Sequence, residues 1–271
     1  MPFPAIRCGR YLDWPHRRGW IVLPACRMAS PTRSGRRRST ARPFLTDTTP
    51  IRTSLQALGP LRIEELSRGA EDPGRVQQLE AALEQYHYLG YRSRAGENLQ
   101  YWVSDARERP LARLVFGAAA WQCAVRDEWI GWHPAQRARR LGAIANNTRF
   151  LIFDWVRVPH LASHLLGRIV RRIGADWQAK YQHPIHLLET FVDSERFTGT
   201  CYRAANWLRL GRTRGRGRQG PRAAIPSTSL KDVYVLELHS HACRTLSAPH
   251  EPAQDPFQSV PSQELLGVAG A

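Results

Sequence analysis

The residues of this chain whose types and spacing could do chemistry are two carboxylates, two histidines, a group of tryptophans and a run of arginines. Glu189 and Asp193 stand four apart at the end of the stretch Ile185 to Val192, which reads as a buried strand. Carboxylates are seldom placed there without a partner, and Arg157 or Arg196 is the partner the sequence offers. An ion pair bracing a cleft is favoured over general-base work by Glu189. His160 and His164, at i and i+4, share one helix face. No glutamate follows His160 as the H-E-x-x-H pattern requires, so the two are read as lining a cleft, and no metal site is expected. Arg212-Thr213-Arg214-Gly215-Arg216-Gly217-Arg218 alternates arginine with small residues. A loop of that composition can grip phosphates, with a solvated loop as the competing reading. Trp121, Trp129 and Trp132 are platforms for unpaired bases if exposed. Packing beneath a sheet is favoured for Trp121, and exposure for Trp129 and Trp132, which flank a turn near Arg126. A non-catalytic scaffold that docks a partner protein through these tryptophans is a further reading.

Charge supports an anionic partner. The 271 residues carry a formal net charge of +16, and Lys180 and Lys231 are the only lysines among 39 basic residues. Arginine suits bidentate phosphate contacts and stacking on bases. An excess of this size makes nucleic acid the expected partner. Cys8, Cys26, Cys123, Cys201 and Cys243 are odd in number and form no C-x-x-C pair. With no run of about 18 apolar residues and no signal peptide, the expectation is a cytoplasmic protein with reduced thiols and no membrane association.

These side chains need a scaffold, and the hydrophobic periodicity sketches one. Residues 1–60 are expected to be a basic, unstructured arm, with a mis-called start before Met28 as one account of it. A single domain is expected over 61–246 and a flexible tail over 247–271. Within the domain, Arg75 to Leu89 has helical spacing and ends at Gly90. Leu99 to Val103 and Leu111 to Val125 read as strands around the turn 104–110. Pro134 to Leu141 reads as a short helix, Thr148 to Val158 as a buried strand and His160 to Tyr181 as the clearest helix. Ile185 to Val192 is the next strand, with Asp193 or Ser194 capping the helix after it, and Asp232 to Leu238 is the last. That order is an α/β fold with a mixed sheet flanked by helices.

From Thr190 to Gln219 a strand runs into a helix, returns through Asn206-Trp207 into a second strand and leaves on the arginine-glycine hairpin. In that order and in those residues the chain resembles the bacterial Druantia DruA family. The segment Ala119 to Trp132 and a polar loop, Asn146-Asn147-Thr148-Arg149, carry the same resemblance, which covers about residues 85–235 and stops short of Met28. It implies a role in anti-phage defence or in mobile elements, beside helicase-like or other defence-operon proteins. Arg126, Trp129, Trp132, Arg149, Arg203, Arg212, Arg214, Arg216 and Arg218 are the residues expected to meet nucleic acid.

Over about residues 75–220 the element order also resembles the fold of GCN5-related acetyltransferases. In that fold the strand before the long helix splays from its neighbour, acyl-coenzyme A enters the gap, and its pyrophosphate sits on the helix N-terminus. The loop pattern R-x-x-G-x-G/A falls on Arg157-Val158-Pro159-His160-Leu161-Ala162. The arginine and Ala162 fit, while His160 replaces a glycine and Pro159 removes a donor. Tyr202-Arg203-Ala204-Ala205-Asn206-Trp207 resembles the Y-x-x-x-G-F turn, with Asn206 replacing glycine. The resemblance implies a general-acid role for Tyr202, and a core tyrosine anchoring helix to sheet is the favoured alternative. Tyr202, Glu189 and His160 are thus the candidate catalytic residues, and Arg157, His164, Asp193, Arg196 and Asn206 the candidate cleft. No cofactor is expected, with acyl-coenzyme A as the alternative.

Overall fold

The computed structural model describes residues 44–66, 73–91, 96–214 and 229–249. The compact unit they belong to runs from Ala41 onward. Chain order within it is β1 (Ile51–Arg52), α1 (Leu55–Leu58), β2 (Arg62–Glu65), α2 (Pro73–Tyr86), β3 (Asn98–Ser104) and β4 (Pro110–Ala118). There follow α3 (Ala124–Ile130), α4 (Pro134–Arg140), a 3-10 turn, β5 (Ile144–Ile152), β6 (Val156–Arg157) and α5 (Leu161–Tyr181). The chain continues with β7 (Leu187–Asp193), α6 (Thr200–Ala204), β8 (Leu208–Arg212), β9 (Lys231–Glu237) and α7 (Ala242–Ser247).

Seven strands form one mixed sheet in the order β2-β3-β4-β5-β7-β9-β8. Only β5 and β7 run parallel within it, because the long helix α5 carries the chain from one to the other. Side chains alternate across the sheet, so Tyr101 and Trp102 face opposite layers. The Tyr101 hydroxyl donates to Asp176 of α5 at 2.8 Å. Trp102 meets Phe44 and Phe153, and Tyr86 of α2 packs on Phe44, Phe153 and Trp155. The apolar stripe of α5, Leu161, Leu165, Leu166, Ile169, Ile173 and Trp177, is wholly buried. A smaller core of Ile130, Trp132, Ile144, Leu187, Val235 and Leu246 closes the other end. The mixed sheet flanked by helices is the architecture expected of an acetyltransferase-like core.

The expected outline changes in several places. The strand expected over Thr148 to Val158 is divided between β5, which starts at Ile144 and stops at Ile152, and β6, which pairs with β1 outside the main sheet. Order starts upstream of Leu61: Phe44 is buried against aromatic rings, and Ile51 pairs with Val156, since Phe44 fills a hole between α2 and the sheet. The strand expected over Leu111 to Val125 stops at Ala118. Helix α3 follows it, ended by Gly131 at φ +74°, a left-handed stop that glycine allows. Asn146 to Arg149 is part of the central strand β5 and not a loop. Asn147 can be buried there because its amide nitrogen donates to the Val115 and Arg149 carbonyls, each at 3.2 Å. Helix α6 is capped by Gly199 and not by Asp193 or Ser194. The Asp193 carboxylate instead accepts from the Glu195 amide. The start at Met28, Arg216 and Arg218, and residues 250–271 of the expected tail lie outside the described residues.

Candidate functional site

The parallel strands part where the site would be built. Strands β5 and β7 keep register from Ile144–Leu187 to Asn147–Thr190 and then separate. Tyr202 of α6 fills the resulting crotch. Its hydroxyl donates to Asn147 Oδ1 at 2.6 Å, while Thr190 Oγ1 lies 3.5 Å away and itself donates to the Asn147 carbonyl at 3.0 Å. The ring stacks on Tyr234 and meets Phe150 and Trp207 edge-on. Burial pushes the phenol up, and its proton is committed to Asn147. Tyr202 thus anchors α6 to β5 through Asn147.

Backbone geometry seats that anchor. Gly199 opens α6 at φ +67°, and a Cβ on it would collide with the Tyr234 ring. Asn206 closes the turn at φ +64°, in the left-handed region that asparagine tolerates best among residues with a side chain. The Trp207 amide then donates back to the Tyr202 carbonyl at 3.0 Å.

Behind the crotch lies a cavity of about 550 Å³, lined by Arg157, Pro159 and His160 before α5 and by Thr200, Cys201 and Ala204 of α6. This is where the acetyltransferase resemblance places the pyrophosphate of acyl-coenzyme A, so the first donors of α5 test the fit. Pro159 has no N–H. The Leu161 N–H is turned onto the Val158 carbonyl at 3.3 Å. His160 holds the left-handed backbone, φ +63°, with a side chain where close phosphate approach calls for glycine. Two of the donors are lost and the approach is obstructed. The residues present do not fit a pyrophosphate cradle, and no acyl transfer is derived through one.

Glu189 is wholly buried, and its partner is neither Arg157 nor Arg196. Arg126 donates to its Oε2 at 2.7 Å, and the Ala120 amide donates to Oε1 at 2.6 Å. Burial raises the Glu189 carboxyl, with the Arg126 charge opposing. Arg126, expected at a nucleic-acid surface, is itself fully buried. Its remaining donors go to the Ala120 carbonyl and to Asp127, which also accepts from Trp132 Nε1 and from Arg137. The tryptophan assignment also reverses. Trp121 is 54% exposed and Trp132 only 7%, because the indole N–H of Trp132 finds its acceptor inside. Trp129 is half-buried against the smaller core.

The other expected residues are spread over the surface. Arg157, His160, His164, Arg196, Arg203, Asn206, Arg212 and Arg214 are exposed. Arg203 reaches Thr200, and Arg212 shares the Asp232 carboxylate with Arg209. Arg149 is half-buried and donates to the Gly90 and Thr148 carbonyls. Asp193 accepts from the Ser229 hydroxyl at 3.2 Å rather than from an arginine. Among the described residues no group of three His, Cys, Asp or Glu is placed to hold a metal, and no helix is long and apolar enough to cross a membrane. Two residues that the sequence did not single out, Tyr88 and Phe197, are exposed and touch at 5.3 Å between ring centres. The one sequence signal for Tyr88 was its place beyond the apolar spacing of α2.

A family model described as Druantia protein DruA matches residues 17–222. The match begins upstream of Met28 and ends before residue 235, so it extends further toward the N-terminus, and less far toward the C-terminus, than the expected span. No curated protein matches the chain. Among solved structures, spermidine/spermine N-acetyltransferase SpeG from Vibrio cholerae is 10% identical, with a TM-score of 0.41 over 68% of this chain and 96% of that one. Spermidine N-acetyltransferase from Vibrio cholerae in complex with CoA and spermine is 12% identical, with a TM-score of 0.39 over 66% and 95%. Neither carries chemistry over to this chain.

Proposed function

The chain belongs to the Druantia protein DruA family, and from that premise we propose that it is a cytoplasmic anti-phage defence or mobile-element protein that engages nucleic acid through an arginine-rich surface. One observation carries the reading. Along the exposed face of α5, His164, Arg168 and Arg171 continue the line that Arg157 and His160 begin at the cavity mouth. From His160 to Arg171 that face spans about 16 Å at the helical rise per residue. Among the described residues Arg157, Arg168 and Arg171 make no ion pair. An unneutralised row of this kind is suited to following a phosphate backbone. Burial first, and then the Arg168 and Arg171 charges, hold the His164 imidazole below its ordinary value. The family context adds helicase-like or other defence-operon proteins as partners.

Salt dependence of binding is the test. A labelled oligonucleotide should bind with log K falling steeply against log salt. Arg168→Ala with Arg171→Ala should flatten that slope by about 0.7–0.9 for each lost contact. Absence of binding by the unaltered protein at low salt would end the reading, and an unchanged slope would take α5 out of the interface.

A further inference from the structure

We propose that Tyr88, Phe197 and Arg196 form a stacking site for an unpaired nucleobase, so that the nucleic acid this surface takes is single-stranded; the proposal rests on the nucleic-acid reading above and narrows it. The two rings come from loops distant in sequence, one after α2 and one after β7, and meet in space. Tyr88 is 37% and Phe197 48% exposed. Their centres lie 5.3 Å apart, and the Arg196 guanidinium carbon sits 4.7 Å above the Tyr88 ring.

The support beneath them is tied down, and both rings stay partly exposed, Tyr88 with His87 and the Arg196 guanidinium already against it. In the first loop His87 stacks on Tyr88, and its Nδ1 accepts the Leu89 amide at 3.2 Å. The Gly90 carbonyl accepts from Arg149 Nε at 2.8 Å. In the second loop the Arg196 and Phe197 amides both donate to the Asp193 carbonyl. Two anchored loops holding two exposed rings in contact amount to a preorganised surface, which lowers the entropic cost of ligand capture. Every base has a π-face, and aromatic and guanidinium planes accept it without regard to sequence. Paired bases keep their faces inside the duplex, so such a platform discriminates for single strands.

Charge agrees with that occupant. Arg196 and Arg149 stand beside the rings. Of the acids in the second loop, Asp193 has its carboxylate hydrogen-bonded by the Glu195 amide and the Ser229 hydroxyl, and Glu195 is exposed. Among the described residues, Arg149 Nη2 has no bond within the protein and remains available to a phosphate.

The experiment compares three labelled ligands of equal length by fluorescence anisotropy: a single-stranded DNA, the same strand with abasic sites, and the duplex. The unaltered protein should prefer the base-bearing strand to the abasic one by about tenfold, the low end for stacking on two rings. Tyr88→Ala with Phe197→Ala should abolish that preference. Duplex binding and the salt slope should not change, because no phosphate contact is removed. Tyr88→Phe keeps a π-face and should retain the preference, which separates stacking from a folding defect, as thermal melts of each variant also do. Equal binding of base-bearing and abasic strands by the unaltered protein would overturn the stacking site and leave the nucleic-acid reading standing. Failure to bind any of the three would overturn both.

Discussion

The Arg126 guanidinium donates to the Glu189 carboxylate at 2.7 Å, with both side chains wholly out of solvent. Each had a separate expected role, one at a nucleic-acid surface and one in catalysis, and each is the other's partner. Through its second oxygen Glu189 also holds the Ala120 amide. The pair thus fixes the loop that carries Trp121 into solvent.

Breaking that pair should be costly, since a lone buried charge remains. Arg126→Ala and Glu189→Ala should each lower unfolding stability by about 3–5 kcal/mol. The double substitution should cost clearly less than the sum. Urea denaturation measures all three, and strict additivity would show that the two groups do not share their stabilisation.

Acid should act through His87. Burial, and then the Arg149 charge, hold its imidazole down at about 4. The unfolded chain therefore takes up the proton first. This contribution to stability is complete above about pH 6.5 and is lost as pH falls towards about 4. Protonation also removes the acceptor for the Leu89 amide. His87→Asn, which keeps an acceptor without titrating, should flatten this part of the profile, read as the difference in urea midpoints across pH 4–7.

His160 carries backbone strain that a glycine would not. At φ +63° a side chain costs on the order of 1 kcal/mol. His160→Gly should stabilise the protein by about 0.5–1 kcal/mol in a thermal or urea melt. Destabilisation would show that the exposed imidazole makes contacts that outweigh the strain.

The cavity should refuse acetyl-coenzyme A. Calorimetry at micromolar concentrations should register no binding. Tyr202→Phe should cost about 1–3 kcal/mol of stability by leaving Asn147 Oδ1 without its donor, with no further effect. Saturable binding that disappears in Arg157→Ala would restore an acyltransferase.

Arg214→Ala with Arg216→Ala should flatten the salt slope of nucleic-acid binding by about 0.7–0.9 per contact if this run grips phosphates. Equal slopes would assign the contact to α5 alone.

What could be read directly were the elements with a period. Leu161, Leu165, Ile169, Ile173 and Trp177 announce α5 because burying one face of a helix demands that spacing. Ile185 to Val192 announces β7 because a strand covered on both sides is mostly apolar, and Glu189 and Thr190 are the exceptions that need partners. Asn206 was legible for a local reason, the left-handed turn that few side chains tolerate, and it stands at φ +64°. The basic excess, too, is a sum that needs no coordinates.

Pairing was not legible, because it depends on what lies across the sheet and not on what lies along the chain. Asn147 reads as a loop residue until Tyr202 and the Val115 carbonyl satisfy its amide inside β5. Arg126 reads as surface until Glu189, 63 positions away, neutralises it. Trp132 is drawn inward by Asp127, and Trp121 is left outside by the turn that Glu189 pins. Tyr88 and Phe197 meet only because Arg149 of β5 holds the loop after α2 through the Gly90 carbonyl, within reach of the loop after β7. A polar or charged group can be buried only where a partner is delivered in three dimensions, and that delivery was the work of the tertiary fold.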